Sequence, residues 1–344
     1  MSALPYLDLV GEVAKYGMYL TLITNSSLIY ITEKHIKNIK GPYKFLVLML
    51  AVLGMIFSIM ETFVRPFFHS FNASFVYFSI APMLGASKSV KTALVLLYSE
   101  IYLLIICVIA IQFFYRYLII ANSPRLRLFT GWNALLWIAY LTICMTVWAY
   151  AGYLCLPDSF TDDYLKEEML TQYNKSSDEI PGFFVVAYEH IGHIRHLKIN
   201  AVLNTCGATF TLFIQYIIII FCGFKIHLKI RDTMEATSCK KYRLQSQLFK
   251  TLVLQITAPS LFYHTPAFLM YLIPYFDLEI SIPSGVMVCF FSVYPAIDTI
   301  VLMWMVTEYH RVVARMIEKF LADALKWIEK FTGKGGEEST TQTA

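Results

Sequence analysis

Seven long apolar stretches, separated by loops of alternating charge character, constrain this chain more than any other feature. They run over residues 11–31, 45–64, 93–119, 128–154, 199–224, 251–273 and 285–306. A helix needs about 20 mostly apolar residues to cross the hydrocarbon core of a bilayer. Apolar residues make up 57% of the chain and charged residues 15%, against about 25% charged in an ordinary soluble domain. A soluble core has no use for that much apolar surface, whereas a bilayer does. Backbone polar groups in lipid must be satisfied within the protein, so the spans are expected to be helices. The expected fold is an all-α membrane protein, a bundle of seven transmembrane helices. The first span carries Glu12 and Lys15 near its start.

Loop charge sets the orientation, because Lys and Arg collect on the cytoplasmic side. The connection after span one holds Lys34, Lys37, Lys40 and Lys44, and that after span three holds Arg116, Arg125 and Arg127. The one after span five holds Lys225, Lys229, Arg231, Lys240, Lys241, Arg243 and Lys250. The other three connections hold fewer, among them Lys88, Lys91, Lys166, Lys175, Arg195 and Lys198. The N-terminus is therefore expected outside and the C-terminus inside. Glycosylation acceptor patterns begin at Asn72 and Asn174, both in loops placed outside. A third begins at Asn25, within span one, and is expected to stay silent. No basic leader or small-residue cleavage site precedes span one, which is read as an uncleaved signal. There is no internal repeat. The chain divides into a seven-helix domain over 1–309, an amphipathic helix over 310–331 and a tail over 332–344. The tail is rich in Gly, Glu, Ser and Thr and is expected to be disordered.

Four groups of residues, in order along the chain, carry a resemblance. They are Asn25-Ser-Ser-Leu-Ile-Tyr30 with Gly41-Pro-Tyr-Lys44, and Arg65-Pro-Phe-Phe-His69 with an aromatic outer loop. Gln112-Phe-Phe-Tyr-Arg-Tyr117 closes span three, and Tyr294-Pro-Ala-Ile-Asp298 is followed by Tyr309-His-Arg311. Together they resemble the Str family of nematode seven-transmembrane chemoreceptors, whose pattern the Srj, Srd, Srh and Sri families share in part. The resemblance implies a G-protein-coupled receptor in the plasma membrane of chemosensory neurons, on their cilia. Such a receptor binds a small-molecule odorant, activates a heterotrimeric G protein, touches membrane lipids and no nucleic acid, and is not an enzyme. No cofactor or metal is expected. Rhodopsin-like receptors usually tie the outer end of span three to the next outer loop by a disulfide. Residues 88–96 contain no cysteine for that bond, and of the seven cysteines only Cys155 sits near the outer face. The buried ones are expected to act as small apolar fillers.

Arg116 lies between Tyr115 and Tyr117 at the inner end of span three, where rhodopsin-like receptors carry an acidic-Arg-aromatic triplet. Tyr115 replaces the acid. Two readings stand: a snorkelling arginine at the interface, or a group that meets the G protein when the helices part. Tyr294 and Asp298 lie four residues apart and share a helix face, while Pro295 removes one helix hydrogen bond. They are read either as an activation switch or as packing that fixes span seven. Glu61, Glu100, Trp148, Tyr263 and His264, with His264 set between Pro259 and Pro266, are the candidates for an outer ligand pocket. An ionisable group facing lipid is costly, so Glu100 is expected to face the bundle, as ligand contact or as an interhelical tie.

The segment 310–331 alternates Val313, Met316, Ile317, Phe320, Leu321, Leu325 and Ile328 with basic residues, as an interfacial helix does. Packing against a partner protein is the other reading. Ser339, Thr340, Thr341 and Thr343 are candidates for phosphorylation. His190, His193 and His196 do not share one helical face, so a metal site is not expected; a hydrated entrance to span five is the plainer reading. A seven-helix ligand-gated ion channel is the main alternative function, but the insect channels of that type place the N-terminus inside. No Gly-x-Gly-Asp or His-Glu-x-x-His motif suggests an intramembrane enzyme. No paired broken helices suggest a transporter.

Overall fold

The computed structural model describes residues 4–37, 39, 41–82, 85–191, 194–236, 240–278, 280–283 and 285–331. The seven spans form one bundle. They are α1 (Leu4–Lys34), α2 (Pro42–Val64), α3 (Lys88–Ile120), α4 (Leu135–Tyr153), α6 (Ile199–Ala236), a broken sixth span, and α9 (Gly285–Met305). The sixth span consists of α7 (Lys240–Pro259), a π-helical turn (Ser260–His264) and α8 (Thr265–Phe276). An additional helix, α5 (Ser159–Tyr173), lies between spans four and five, and α10 (Thr307–Phe331) follows span seven. Among the described residues, five helices are long and apolar enough to cross a membrane by themselves. The other two spans are α1, with Asp8, Glu12 and Lys15 in its first half, and the interrupted sixth.

Span three is the hub. Residues 106–113 are buried without a break, and α3 packs against α2, α4, α6 and α7. A helix that is apolar on every side finds its place inside the bundle. Its start is capped by Ser87, whose hydroxyl accepts the Val90 N–H at 3.4 Å. Span one leans on span seven at Gly17, where an added Cβ would sit 2.3 Å from the Ser292 carbonyl oxygen.

The strands at one end of the bundle are β1 (Pro66–Phe71), β2 (Ser74–Ser79), β3 (Gly182–Val186), β4 (Tyr188–Ile191), β5 (Ile194–Leu197) and β6 (Ser281–Pro283). Four of them make an antiparallel sheet in the order β3-β2-β1-β6, drawing together all three connections at that end. Phe71 pairs with Ser74, so Asn72 and Ala73 form the turn, and Asn72 takes a left-handed φ of 46°. Strand residues alternate between faces. Phe68, Phe75 and Tyr77 look into the bundle. His69, Phe71 and Phe78 meet α5, with ring centroids at 5.5 Å (His69–Tyr173), 6.2 Å (Phe71–Tyr164) and 5.0 Å (Phe78–Tyr173). A sheet covered on both faces takes near-continuous apolar strands, and this is why the loop is so aromatic. Helix α5 begins with a capping box in which Asp158 accepts from the Thr161 N–H and Thr161 accepts from the Asp158 N–H, both at 2.8 Å.

The structure corrects several expectations. Span four begins at Leu135, not residue 128: two 3-10 turns (Pro124–Phe129 and Gly131–Ala134) precede it, and Gly131 sits at φ 60°, outside helical space. Phe129 stacks on Trp137 at 4.6 Å, so that apolar run packs as a turn instead of spanning. Helix α6 continues to Ala236, beyond residue 224, and α10 starts at Thr307 rather than His310. The His190–His196 region is a hairpin, with Glu189 opposite His196 and His190 opposite Arg195; His193 lies outside the described residues. So do residues 332–344, with Ser339, Thr340, Thr341 and Thr343, and Cys239. The six described cysteines are unpaired, and Cys155 is buried with its thiol directed to the Asn200 carbonyl at 3.6 Å.

Replacing Gly17 by Ala forces backbone apart at the contact of α1 with α9. We expect a stability loss of about 1–3 kcal/mol, read as a lower thermal midpoint of the detergent-solubilised protein.

Candidate functional site

A cavity of about 120 Å³ lies directly beneath the sheet, the order of size that holds a benzene-like molecule. Its roof is Phe68, Phe75 and Tyr77 with Phe183 of β3, and its walls include Tyr102, Trp148, Leu212, Tyr271 and Phe291. The polar lining is largely committed elsewhere. Ser99 accepts the Trp148 indole N–H at 3.1 Å and donates to the Leu96 carbonyl at 2.7 Å. Asn204 donates to the Ala151 carbonyl at 2.5 Å and accepts from the Tyr271 hydroxyl. Tyr216 joins His264 Nδ1 to Ser260 Oγ, the latter at 2.8 Å. The Thr209 hydroxyl is buried with no partner among the described residues. Such a site is mostly apolar with one placed polar group, the composition of a small-molecule pocket.

Of the residues expected to form the pocket, the structure brings Trp148 and His264 together here. The Tyr263 side chain lies outside the described residues. Glu61 does not reach this cavity: it is buried at the end of α2, accepts from Ser292 Oγ at 2.6 Å and borders a separate space beside α1. Glu100 is half-buried and lines neither space, because its neighbour Ser99 holds the inward face of α3. Ser99, Asn204, Thr209 and the roof aromatics escaped the sequence reading. Uncharged polar residues are common in spans, and only the helix rotation shows which face the cavity.

Further along the bundle a polar cluster links spans one, two, six and seven. Asn25 donates to the Ala51 carbonyl at 2.9 Å and accepts from Thr299 Oγ1. Tyr294 donates to the Gln255 carbonyl at 2.9 Å. That carbonyl is available because Pro259, four residues on, has no N–H to give it. Asp298 borders the same cluster, and its Oδ1 has no partner among the described residues. Asn25, read as a silent glycosylation pattern, is in fact a tie between three spans.

At the far end Arg116 is only 1% exposed. The snorkelling reading is overturned: its guanidinium lies 3.9 Å over the Tyr43 ring and donates to Gln245 Oε1 at 3.0 Å. Nε and Nη2 have no partner among the described residues. Tyr115 stacks with Tyr43 at 6.2 Å and meets Phe129 edge-on at 4.7 Å, so it supports the ring under the cation. Tyr117 packs against Phe221 at 6.3 Å.

The roof is latched from above. His69 on β1 is fully buried; its Nε2 meets Glu168 Oε1 of α5 at 3.0 Å and its Nδ1 meets the Tyr173 hydroxyl at 3.0 Å. Ser281 on β6 donates to the same Glu168 oxygen at 2.7 Å. One carboxylate thus joins the three connections at this end. The hydrogen bond from His69 holds the Glu168 carboxyl below its ordinary range, against the opposing effect of burial. Burial pushes the Tyr173 hydroxyl up.

The fold as a whole is that of a seven-helix receptor of the rhodopsin type: the crystal structure of squid rhodopsin superposes with a TM-score of 0.59 over 100% of this chain and 94% of that one, at 13% identity. Residues 11–314 match the family described as serpentine type 7TM GPCR chemoreceptor Str, and the chain belongs to that family. It is 40% identical to the G-protein coupled receptor str-33 of Caenorhabditis elegans over 306 residues, which is 88% of this chain and 89% of that protein. The serpentine receptor class r-10 of the same species is 26% identical over 91% of this chain and 92% of its own length. This is a membrane receptor of the G-protein-coupled type, as the motifs from Asn25 to Arg311 implied.

A carboxylate with a depressed pKa contributes stability above its unfolded value and loses it as pH falls through the folded value. Glu168→Gln should therefore destabilise the fold at neutral pH by about 1.5–3 kcal/mol, the worth of a charge-assisted bond, read as a lower thermal midpoint. The gap from wild type should close below the ordinary carboxylate range, as melts across a pH series will read.

Proposed function

We propose that the chain is a chemosensory receptor that takes a small, uncharged, mostly apolar odorant into the cavity under the sheet and activates a heterotrimeric G protein at the opposite end. The observation that carries this reading is the sixth span. Its π-helical turn puts His264 in the cavity wall, its Gln255 carbonyl holds Tyr294 of span seven, and its Gln245 holds Arg116 of span three. One element touches the ligand space, the polar cluster and the buried cation.

A ligand shifts the receptor only by binding one arrangement better than the other. Contact with His264 favours a different seat for α7; the bond from Tyr294 then breaks, Gln245 leaves Arg116, and the guanidinium becomes free to meet the G protein. Tyr294, Pro295 and Asp298 act as the switch, with Pro295 allowing span seven to bend. The facing ends of α6 and α7, with Lys225, Lys229, Arg231 and Lys250 among their basic residues, supply positive charge for the contact. Helix α10 starts where Tyr309 hydrogen-bonds Thr32 at 2.8 Å, and its Ile317, Phe320 and Leu325 are exposed. Those side chains lie in the inner leaflet of the membrane.

This reading sets the sheet end outside, in the plasma membrane of a sensory neuron and on its cilium. Basic loops at the other end support that orientation. Asn174 is exposed at the end of α5 and serves as the glycan acceptor; Asn72 sits half-buried in the hairpin turn. Expressed in cells, the protein should lose one glycan-dependent band on Asn174→Gln, and an N-terminal tag should be accessible without permeabilisation. A tag protected until the membrane is opened would reverse the orientation.

The function itself is tested in a reporter cell against a panel of volatile compounds. Arg116→Ala at matched surface level should reduce the maximal response at least about tenfold, the worth of one buried charge-assisted bond. An unaltered response would remove Arg116 from coupling.

A further inference from the structure

We propose that the cleft between the π-helical turn of span six and span seven is a lipid-side entrance, through which an uncharged, bilayer-soluble molecule reaches the His264 cavity. The proposal rests on that cavity being the ligand site and adds the route and the physical class of ligand.

A second cavity of about 100 Å³ lies beside the first, toward the middle of the membrane. Its walls are almost wholly apolar, among them Phe57, Ile106, Pro259 and Ile297. The two cavities share Tyr102, His264 and Phe291. Tyr102 meets His264 edge-on at 5.5 Å and Phe291 edge-on at 5.5 Å. Three rings therefore stand where the two spaces meet. On the outward side Phe262 and Phe290 stack at 5.7 Å and 19°. They are 58% and 50% exposed, on segments that cross the bilayer, so lipid tails cover them. The stacked pair closes the second cavity from the membrane.

The π-helical turn explains why a cleft exists here. Its wider ring bonds the Thr265 N–H to the Ser260 carbonyl, and Pro259 and Pro266 bracket it. Within that turn Phe262 is exposed while His264 lines the cavity. Small ring rotations would open this path. The path from water is different in kind. Phe68, Phe75 and Tyr77 of the roof are buried, their strands are held by ladder hydrogen bonds, and Glu168 latches the connections above them. Opening it separates paired backbone. The lining also selects the ligand, because a charge is expensive at this depth without a partner.

The test uses the full-length protein in lipid vesicles and a phenyl-trifluoromethyl diazirine, an uncharged, bilayer-soluble photoprobe. A flash at set delays after addition fixes the probe where it is, and mass spectrometry reads adducts on Trp148 and Leu212, which line only the first cavity. We expect adducts there with the lipophilic probe and none with a quaternary-ammonium diazirine added outside. Phe262→Ala with Phe290→Ala should speed their appearance about two- to tenfold, the worth of one aromatic pair. Phe262→Trp, a milder change at a lipid-facing position, should slow it. Glu168→Gln should leave the rate unchanged. Adducts from the charged probe at the same rate, acceleration by Glu168→Gln with indifference to Phe262 and Phe290, or no adduct on Trp148 or Leu212 would each overturn the entrance. Labelling needs neither agonist nor G protein, so the entrance can fail while the receptor reading stands.

Discussion

In lipid no water is at hand to satisfy a backbone group that its own helix leaves unpaired. Pro259 creates such a group, the Gln255 carbonyl, in the middle of span six. Tyr294 of span seven takes it up. This bond ties the sixth span to the seventh at the point where the proline breaks the helix ladder. Below it, Asn25, Thr299 and the Ala51 carbonyl tie spans one, two and seven. Above it, the helix widens into a π turn that precedes Pro266, and His264 of that turn lines the cavity.

Interhelical hydrogen bonds in membranes are individually modest, near ~0.6 kcal/mol on average. Here they matter through placement more than strength. Glu61 with Ser292, Tyr140 with Gln215 and Thr32 with Tyr309 each join different helices at a buried point. The exception is Arg116, a cation with one hydrogen-bond partner and one aromatic face among the described residues. Its Nε and Nη2 have no partner among the described residues. At the other end the sheet and α5 do the reverse: the His69 contacts are complete on both ring nitrogens, and the three connections are held as one lid.

Much of this was legible in the residues. The seven spans, the shared helix face of Tyr294 and Asp298, the position of His264 between Pro259 and Pro266, and the motifs that mark the family all stand in the chain as written. The aromatic run from Pro66 to Phe78 was visible but not its form, because a strand covered on both faces has no alternating pattern to betray it. Charge alone suggests Glu100 and Glu61 for the pocket, yet neither lines it, and Glu61 borders a separate space beside α1. Arg116 read equally as an interfacial residue, since a sequence cannot say whether Tyr43 from another span will roof it.

The chain by itself determined that it crosses a membrane as helices, how many times, which end carries the basic loops and which family it belongs to. Those properties follow from hydropathy over about 20 residues and from short motifs, and both are local. Which polar groups meet was decided only in the folded bundle. A turn of 100° per residue, a π turn or a glycine such as Gly17 reorients an entire helix face, and contacts between residues as distant as Thr32 and Tyr309 depend on the sum of those rotations.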